Sequence, residues 1–260
     1  MAKLIDKLWN WGHLEGSHNW TVKEELKMSP EDFYREYGIG NSFIVSYMGN
    51  ITPPFDNPAR RFSSLREVKW SVLGDASTPL PDDELGNTKD IIDVIDVGGN
   101  ITGGVVDDFF SPDRMERFTP EILGKIKATL GEKGLDFWCV LYQSQLELPL
   151  SDYLDAFDGV TFWHWGCEHL VRLEENLEKL FSVVGDKPVM LGIYLWDYPN
   201  EKEMDTKLFE KQLRLYFDLL CDGKIKGVVF CSSTLGDADF ETNRLLKKYI
   251  SLYGDREVMD

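Results

Sequence analysis

The chain has 260 residues, with 28 Lys and Arg against 45 Asp and Glu, for a net charge of −17. A hydrophobic content of 43% is enough to bury a core, which excludes a disordered chain, and no apolar run approaches the roughly 18 residues of a membrane span. The acidity argues against nucleic acid, whose phosphates need Lys and Arg, and against an anionic membrane surface.

Short apolar runs alternate with amphipathic stretches from end to end. The first strand is expected at 8–13, a run containing Trp9 and Trp11. Ser29-Pro30-Glu31-Asp32 then supplies an N-cap, a first-turn proline and first-turn acids, opening a helix that Gly38 ends. A second strand at 42–48 runs into a long loop, in which Leu65 and Arg66 form at most a single turn. The third strand, 68–73, precedes a helix over about 82–97 with a stripe of Ile91, Ile92 and Ile95. The fourth, 104–109, carries Asp107-Asp108, and Thr119-Pro120-Glu121 opens the next helix, which ends near Gly131. A fifth strand is expected at 137–142 and a sixth at 160–165, followed by Leu170, Leu173, Leu177, Leu180 and Phe181 at helical spacing. The seventh strand, 189–196, leads to a helix face of Leu208, Gln212, Leu215 and Leu219. The eighth, 228–232, is followed by a last helix over about 238–252.

Near-continuous apolar strands of this kind are buried on both faces, as in a parallel sheet covered by helices. Eight βα units in a chain of this length predict a single (β/α)8 barrel over residues 1–260. A doubly wound open sheet is the competing architecture, but no Gly-rich phosphate fingerprint follows the first strand. The loops after the strands (14–28, 49–64, 74–81 and 110–119) are longer than the Gly-marked loops before them. In a barrel the longer set lines the C-terminal mouth, where active sites sit. Cys139, Cys167, Cys221 and Cys231 form no CxxC pair. With no signal-peptide pattern at the start, they read as reduced, buried thiols of a cytoplasmic protein, and their spacing argues against structural zinc.

The residues able to do chemistry gather at strand ends. The four histidines, His13, His18, His164 and His169, all lie at the end of, or just after, the first or the sixth strand. Asp107 and Asp108 close the fourth strand, and since successive strand residues face opposite ways, one of the two should face the mouth. Asp197 holds the equivalent place on the seventh strand, with Glu15 after the first and Glu168 after the sixth. Paired carboxylates across a pocket are what glycoside hydrolysis requires. Trp11, Trp163, Trp165 and Trp196, with Tyr47, Tyr142 and Tyr194, lie at or near strand ends, where they can stack on the apolar face of a sugar. Trp70 and Trp138 are expected in the core. Arg60-Arg61, in the loop after the second strand, is expected to pair with surface acids. Cys231 lacks an evident base, which weakens it as a nucleophile.

The segment Gly104-Val105-Val106-Asp107-Asp108-Phe109-Phe110 resembles the acidic strand-four ends of several (β/α)8 glycoside hydrolase clans, and Asp197 stands where such barrels often place a second carboxylate. Phe110 stands where the chitinase-type pattern has Glu, and the cellulase-like clan has Glu at both positions. The resemblance implies a carbohydrate-active enzyme, a glycoside hydrolase without a cofactor that acts on a small-molecule carbohydrate. Asp108 or Asp107 and Asp197 would then be the acid and the base or nucleophile. His13 and His164 would orient the sugar or tune proton transfer, and the aromatics with Glu15 and Glu168 would bind it. Two alternatives remain on the same barrel. One is a metal-dependent sugar isomerase, epimerase or lyase, with a divalent ion held by His13, Glu15, His164 and one of the paired aspartates. The other is a non-catalytic barrel that binds a sugar or a protein partner.

Overall fold

The computed structural model describes residues 2–259. Its strands are β1 (Leu8–Gly12), β2 (Asn41–Ile44), β3 (Glu67–Ser71), β4 (Ile101–Val106), β5 (Asp136–Tyr142), β6 (Gly159–Trp163), β7 (Val189–Tyr194), β8 (Trp196–Asp197), β9 (Lys202–Glu203) and β10 (Gly227–Cys231). Eight of these close a parallel barrel in the order β1-β10-β7-β6-β5-β4-β3-β2, while β8 and β9 form a separate antiparallel ribbon. The protein is thus a single-domain (β/α)8 barrel. Closure is direct: Trp11 of β1 is in register with Cys231 of β10 on one side and with Phe43 of β2 on the other.

The helices follow local signals. In Pro30–Tyr37 the Ser29 hydroxyl accepts the Asp32 amide, Asp32 returns the bond to the Ser29 amide, and Gly38 ends the helix at φ 73°. Thr206–Cys221 starts where the Asp205 carboxylate accepts the amides of Lys207 and Leu208. The loop after β2 contains a helix at Asp56–Phe62, not a single turn at Leu65 and Arg66. It is held down because Phe55 and Phe62 pack on the outward ring of Trp70. The helix expected over about 82–97 is shorter and broken, with segments Thr88–Asp93 and Ile95–Gly98 meeting at Val94.

Alternation along the strands decides what fills the barrel. Inward positions include Trp9 and Trp11 on β1, Trp138 on β5 and Trp163 on β6. Glycines on adjoining strands make room for these rings. A Cβ on Gly192 would stand 2.1 Å from the Trp163 ring, one on Gly159 2.6 Å from Trp138, and one on Gly227 3.0 Å from Trp9. Tryptophan–glycine complementarity here does the filling that branched aliphatics do in most such barrels. At the N-terminal end, Lys69 is buried between Trp9 and Trp138, its Nζ 5.3 and 5.4 Å from their ring centroids. It donates to both oxygens of Asp136, at 2.5 and 2.7 Å. All four cysteines are free and buried. Among the described residues no helix is long and apolar enough to cross a membrane.

Candidate active site

The inward positions nearest the C-terminal ends of the strands do not fill the barrel. They line a cavity of about 240 Å³. β1 contributes Trp11 and, just beyond it, His13; β5 contributes Val140 and Tyr142; β10 contributes Cys231. The cavity floor is the edge-to-face pair Trp11 and Trp163, 5.3 Å between centroids.

Three aspartates face this cavity. Asp107, first residue beyond β4, continues the inward alternation and is 6% exposed. Asp108 also reaches the cavity, because its left-handed backbone, φ 47°, turns the chain out of the strand direction. Asp and Asn are the side chains that tolerate such a turn best after glycine. One Asp108 oxygen accepts the Tyr142 hydroxyl at 2.8 Å, and the other accepts the Ala76 amide at 3.3 Å. Asp75, beyond β3, accepts hydroxyls from Ser77 and from Thr78, the latter at 2.7 Å.

Asp107 has the most altered chemistry of the three. Burial, followed by the neighbouring Asp108 and Asp75 charges, holds its carboxyl well above the ordinary value of 3.8, and Arg114 opposes this only in part. A carboxyl shifted in this direction keeps its proton to higher pH than an ordinary one, which suits it to donate that proton. Arg114 lies behind the cavity wall, with its guanidinium donating to the carbonyls of Gly74 at 3.0 Å and Asp107 at 2.9 Å, and to that of Asp75. It therefore ties together the backbones that present two of the acids.

His13 and His18 form a buried pair, Nδ1 of His13 to Nε2 of His18 at 2.8 Å. Burial lowers His13 to about 3 and carries His18 well below its usual range, so both rings are neutral at pH 7. Tyr47 packs against both imidazoles at 5.3 and 5.2 Å. His18 also meets Tyr198, at 5.2 Å between centroids, and from there the wall is aromatic. Trp165 and Tyr198 are parallel, 9° between planes and 5.8 Å between centroids, and Tyr194 meets Trp165 edge-on at 5.5 Å. Burial keeps the hydroxyls of Tyr142, Tyr194 and Tyr198 well above their ordinary value of 10.0, so they remain neutral hydrogen-bonding groups.

Nine of the residues singled out in the sequence therefore share one cavity: Asp107, Asp108, His13, Trp11, Tyr47, Tyr142, Trp163, Trp165 and Tyr194. Trp163 serves as buried floor more than as open wall, with its indole N–H donating to Thr161 Oγ at 3.0 Å. Five others lie elsewhere. Strand β7 leaves the barrel at Leu195, and Trp196 and Asp197 pair with Glu203 and Lys202 in the ribbon. Asp197 is consequently buried outside the cavity, accepting both its oxygens' bonds from the Asn200 amide at 3.1 and 3.0 Å. This corrects its expected pairing with the strand-four acids. Trp196 stacks on Phe240 at 4.9 Å. His164 follows an inward Trp163 and so points outward, with Nδ1 3.3 Å from the Tyr216 hydroxyl and its pKa lowered by burial to about 4. Glu15 pairs with Arg61, which also donates to Glu31 at 2.7 Å, and exposed Glu168 accepts from Asn200 at 3.2 Å. His13, Glu15, His164 and the paired aspartates thus do not assemble into a ligand set. No group of three or more His, Cys, Asp and Glu among the described residues is arranged to hold a metal ion.

The sequence reading also missed cavity residues. Asp75 and Trp20 line it, as do His18, noted only as one of the four histidines, and Tyr198, noted only as a strand-end aromatic. Asp75 had the same signal as Asp107, an acid just beyond a strand in Leu73-Gly74-Asp75. Trp20 is carried by the short helix Asn19–Val22, and its N–H donates to the Tyr47 hydroxyl at 3.0 Å.

The sequence matches no known protein family and no curated protein. The fold has many solved counterparts, most of those closely compared being glycoside hydrolases. The C-terminal domain of a putative chitinase from Desulfitobacterium hafniense superposes with a TM-score of 0.60 at 9% identity, covering 96% of this chain and 100% of that one. The spore cortex-lytic enzyme SleL of Bacillus megaterium gives 0.58 at 11%, covering 97% and 75%. The tryptophan synthase alpha chain of Legionella pneumophila gives 0.55 at 11%, covering 98% and 94%. At these identities the likeness establishes the barrel fold.

Proposed function

We propose that the protein is a glycoside hydrolase that works at the strand-end cavity with Asp107 and Asp108. The observation that carries this reading is Asp107: a buried carboxyl beside two further carboxyl groups, Asp108 and Asp75, whose charges together with burial push its pKa up, in a cavity lined by aromatic rings. Asp107 donates its proton to the glycosidic oxygen as the bond from that oxygen to the anomeric carbon breaks. Asp108, held by Tyr142, meets the developing positive charge at that carbon, as nucleophile or as base for the attacking water. With Asp108 as nucleophile, water then attacks the anomeric carbon, Asp107 takes that water's proton and the bond to Asp108 breaks; with Asp108 as base, Asp108 passes the proton of the attacking water to solvent and Asp107 recovers one from solvent. Trp165 and Tyr198 hold the sugar ring, and the neutral histidine pair hydrogen-bonds its hydroxyls. The chitinases among the structural neighbours add weight to a glycosidase over other barrel chemistries.

The test is release of reducing ends from a panel of β-linked oligosaccharides, neutral and amine-bearing. Asp107→Asn and Asp108→Asn should each lower kcat by about a hundredfold or more, and activity should fall as pH rises through the raised Asp107 value. Cleavage of no panel member, or full activity in Asp107→Asn, overturns the reading. The configuration of the released sugar separates a nucleophilic from a water-activating Asp108.

A further inference from the structure

Building on that reading, we infer that the sugar bound in this cavity carries an ammonium group, so that the substrate is a glycan containing unacetylated amino sugars. The lining includes four carboxylic acids, Asp75, Asp107, Asp108 and the rim residue Glu201, and no Lys or Arg. An anionic sugar, a uronate or a phosphorylated one, would meet only like charge there.

Two independent features point to a cation and not simply to an acidic patch. Asp107 is nine-tenths buried, opens onto the cavity and has no side-chain hydrogen-bond partner among the described residues, so once its proton has been given up only the Asp108 amide and Arg114 offset its charge from the protein side. The aromatic wall is the second. Trp165, Tyr194 and Tyr198 pack against one another and all line the cavity beside these acids, and aromatic π-systems in such a lining attract an ammonium group. Lys23 pairs with Glu201 at 3.7 Å, but both are well exposed at the rim. Arg114, the cation that acts on Asp107, has donors directed at backbone carbonyls behind the wall.

The reaction gives the ammonium a further role. Once Asp107 has passed its proton to the leaving oxygen, a new negative charge stands beside Asp108 and Asp75 in a buried place. A positive charge on the bound sugar offsets that repulsion where it develops. The overall charge of −17 also favours approach of a polycationic chain.

The experiment titrates tryptophan fluorescence with β-1,4-linked hexasaccharides of glucosamine, N-acetylglucosamine and glucose, alongside cleavage assays of the same compounds. The glucosamine oligomer should bind about tenfold or more tighter than either neutral one near pH 6, the size of one desolvated cation–aromatic contact. The advantage should shrink in Asp108→Asn and in Trp165→Ala, a residue that is 43% exposed, with thermal melts checking that both variants stay folded. Equal or tighter binding of a neutral oligomer, or an advantage undiminished in both variants, overturns the inference. Cleavage of the neutral oligomers without preference for the amine leaves the hydrolase and removes the amino-sugar substrate. Selective binding of the amine without cleavage of any oligomer removes the hydrolase and leaves the ligand class. Neither binding nor cleavage of any removes both.

Discussion

Asp107 ties function to stability through one proton. In the unfolded chain its carboxyl ionises near the ordinary 3.8, whereas in the fold it stays protonated to higher pH. Above about pH 4 the folded state therefore binds more protons than the unfolded one, and stability falls as pH rises toward the folded value. Asp107→Asn should remove this loss, so its gain in Tm over the parent should grow from pH 4 to pH 8 in thermal melts. His13 acts in the opposite direction. Its folded value of about 3 lies below the unfolded 6.5, so stability is intact above 6.5 and lost as pH falls toward 3, by up to about 1.4 kcal/mol per pH unit. His13→Gln should flatten that acid limb in denaturant midpoints measured between pH 6.5 and pH 4. A parent whose stability is level across this window would contradict the neutral buried pair. At this scale the sequence was readable only where strand phase was certain. Asp107 continues the alternation of β4 and was found. His164 is one residue past an inward Trp163, and a single step of phase sent it to the helix side.

Elements were the most legible scale, since all eight barrel strands overlap the apolar runs that predicted them, although β4 begins and ends three residues earlier than its run and β2 ends four residues earlier. Strand ends were less so. The apolar run 189–196 looks like one strand, yet Trp196 and Asp197 pair with Lys202 and Glu203 after a bend. Nothing in local composition marks that bend, because a ribbon and a strand favour the same residues. The short helix Pro112–Arg117 matters for another reason: its Arg114 joins the loop after β3 to the end of β4. Arg114→Met fills similar space but leaves several buried carbonyls without a donor. It should cost about 2–4 kcal/mol in chemical unfolding. Arg114→Lys should restore only part of this, since one ammonium cannot reach three carbonyls in the fork geometry of a guanidinium.

The whole molecule shows why the barrel could be named from sequence while its cavity could not be drawn. Eight alternating units determine closure, but which side chains fill the interior depends on pairs across strands, such as Trp163 over Gly192 and Trp138 over Gly159. Those partners are far apart in the chain. The same is true of Lys69 and Asp136 at the barrel's N-terminal end. Asp136→Ala leaves the Lys69 ammonium buried with no carboxylate and should cost about 3 kcal/mol, whereas Lys69→Met leaves a half-exposed Asp136 that water can reach and should cost less. Equal losses in urea unfolding would mean that the pair is not what supports this end.

That sealed end has a consequence for traffic through the molecule. With Lys69, Trp9 and Trp138 packed across the bottom of the barrel, the cavity is a cul-de-sac with one doorway at the strand ends. A polymer cannot be threaded through the barrel axis. On the proposed reading, a fragment released in the cavity leaves past Trp20 and Trp165, the same way that substrate enters, so the two contend for one passage.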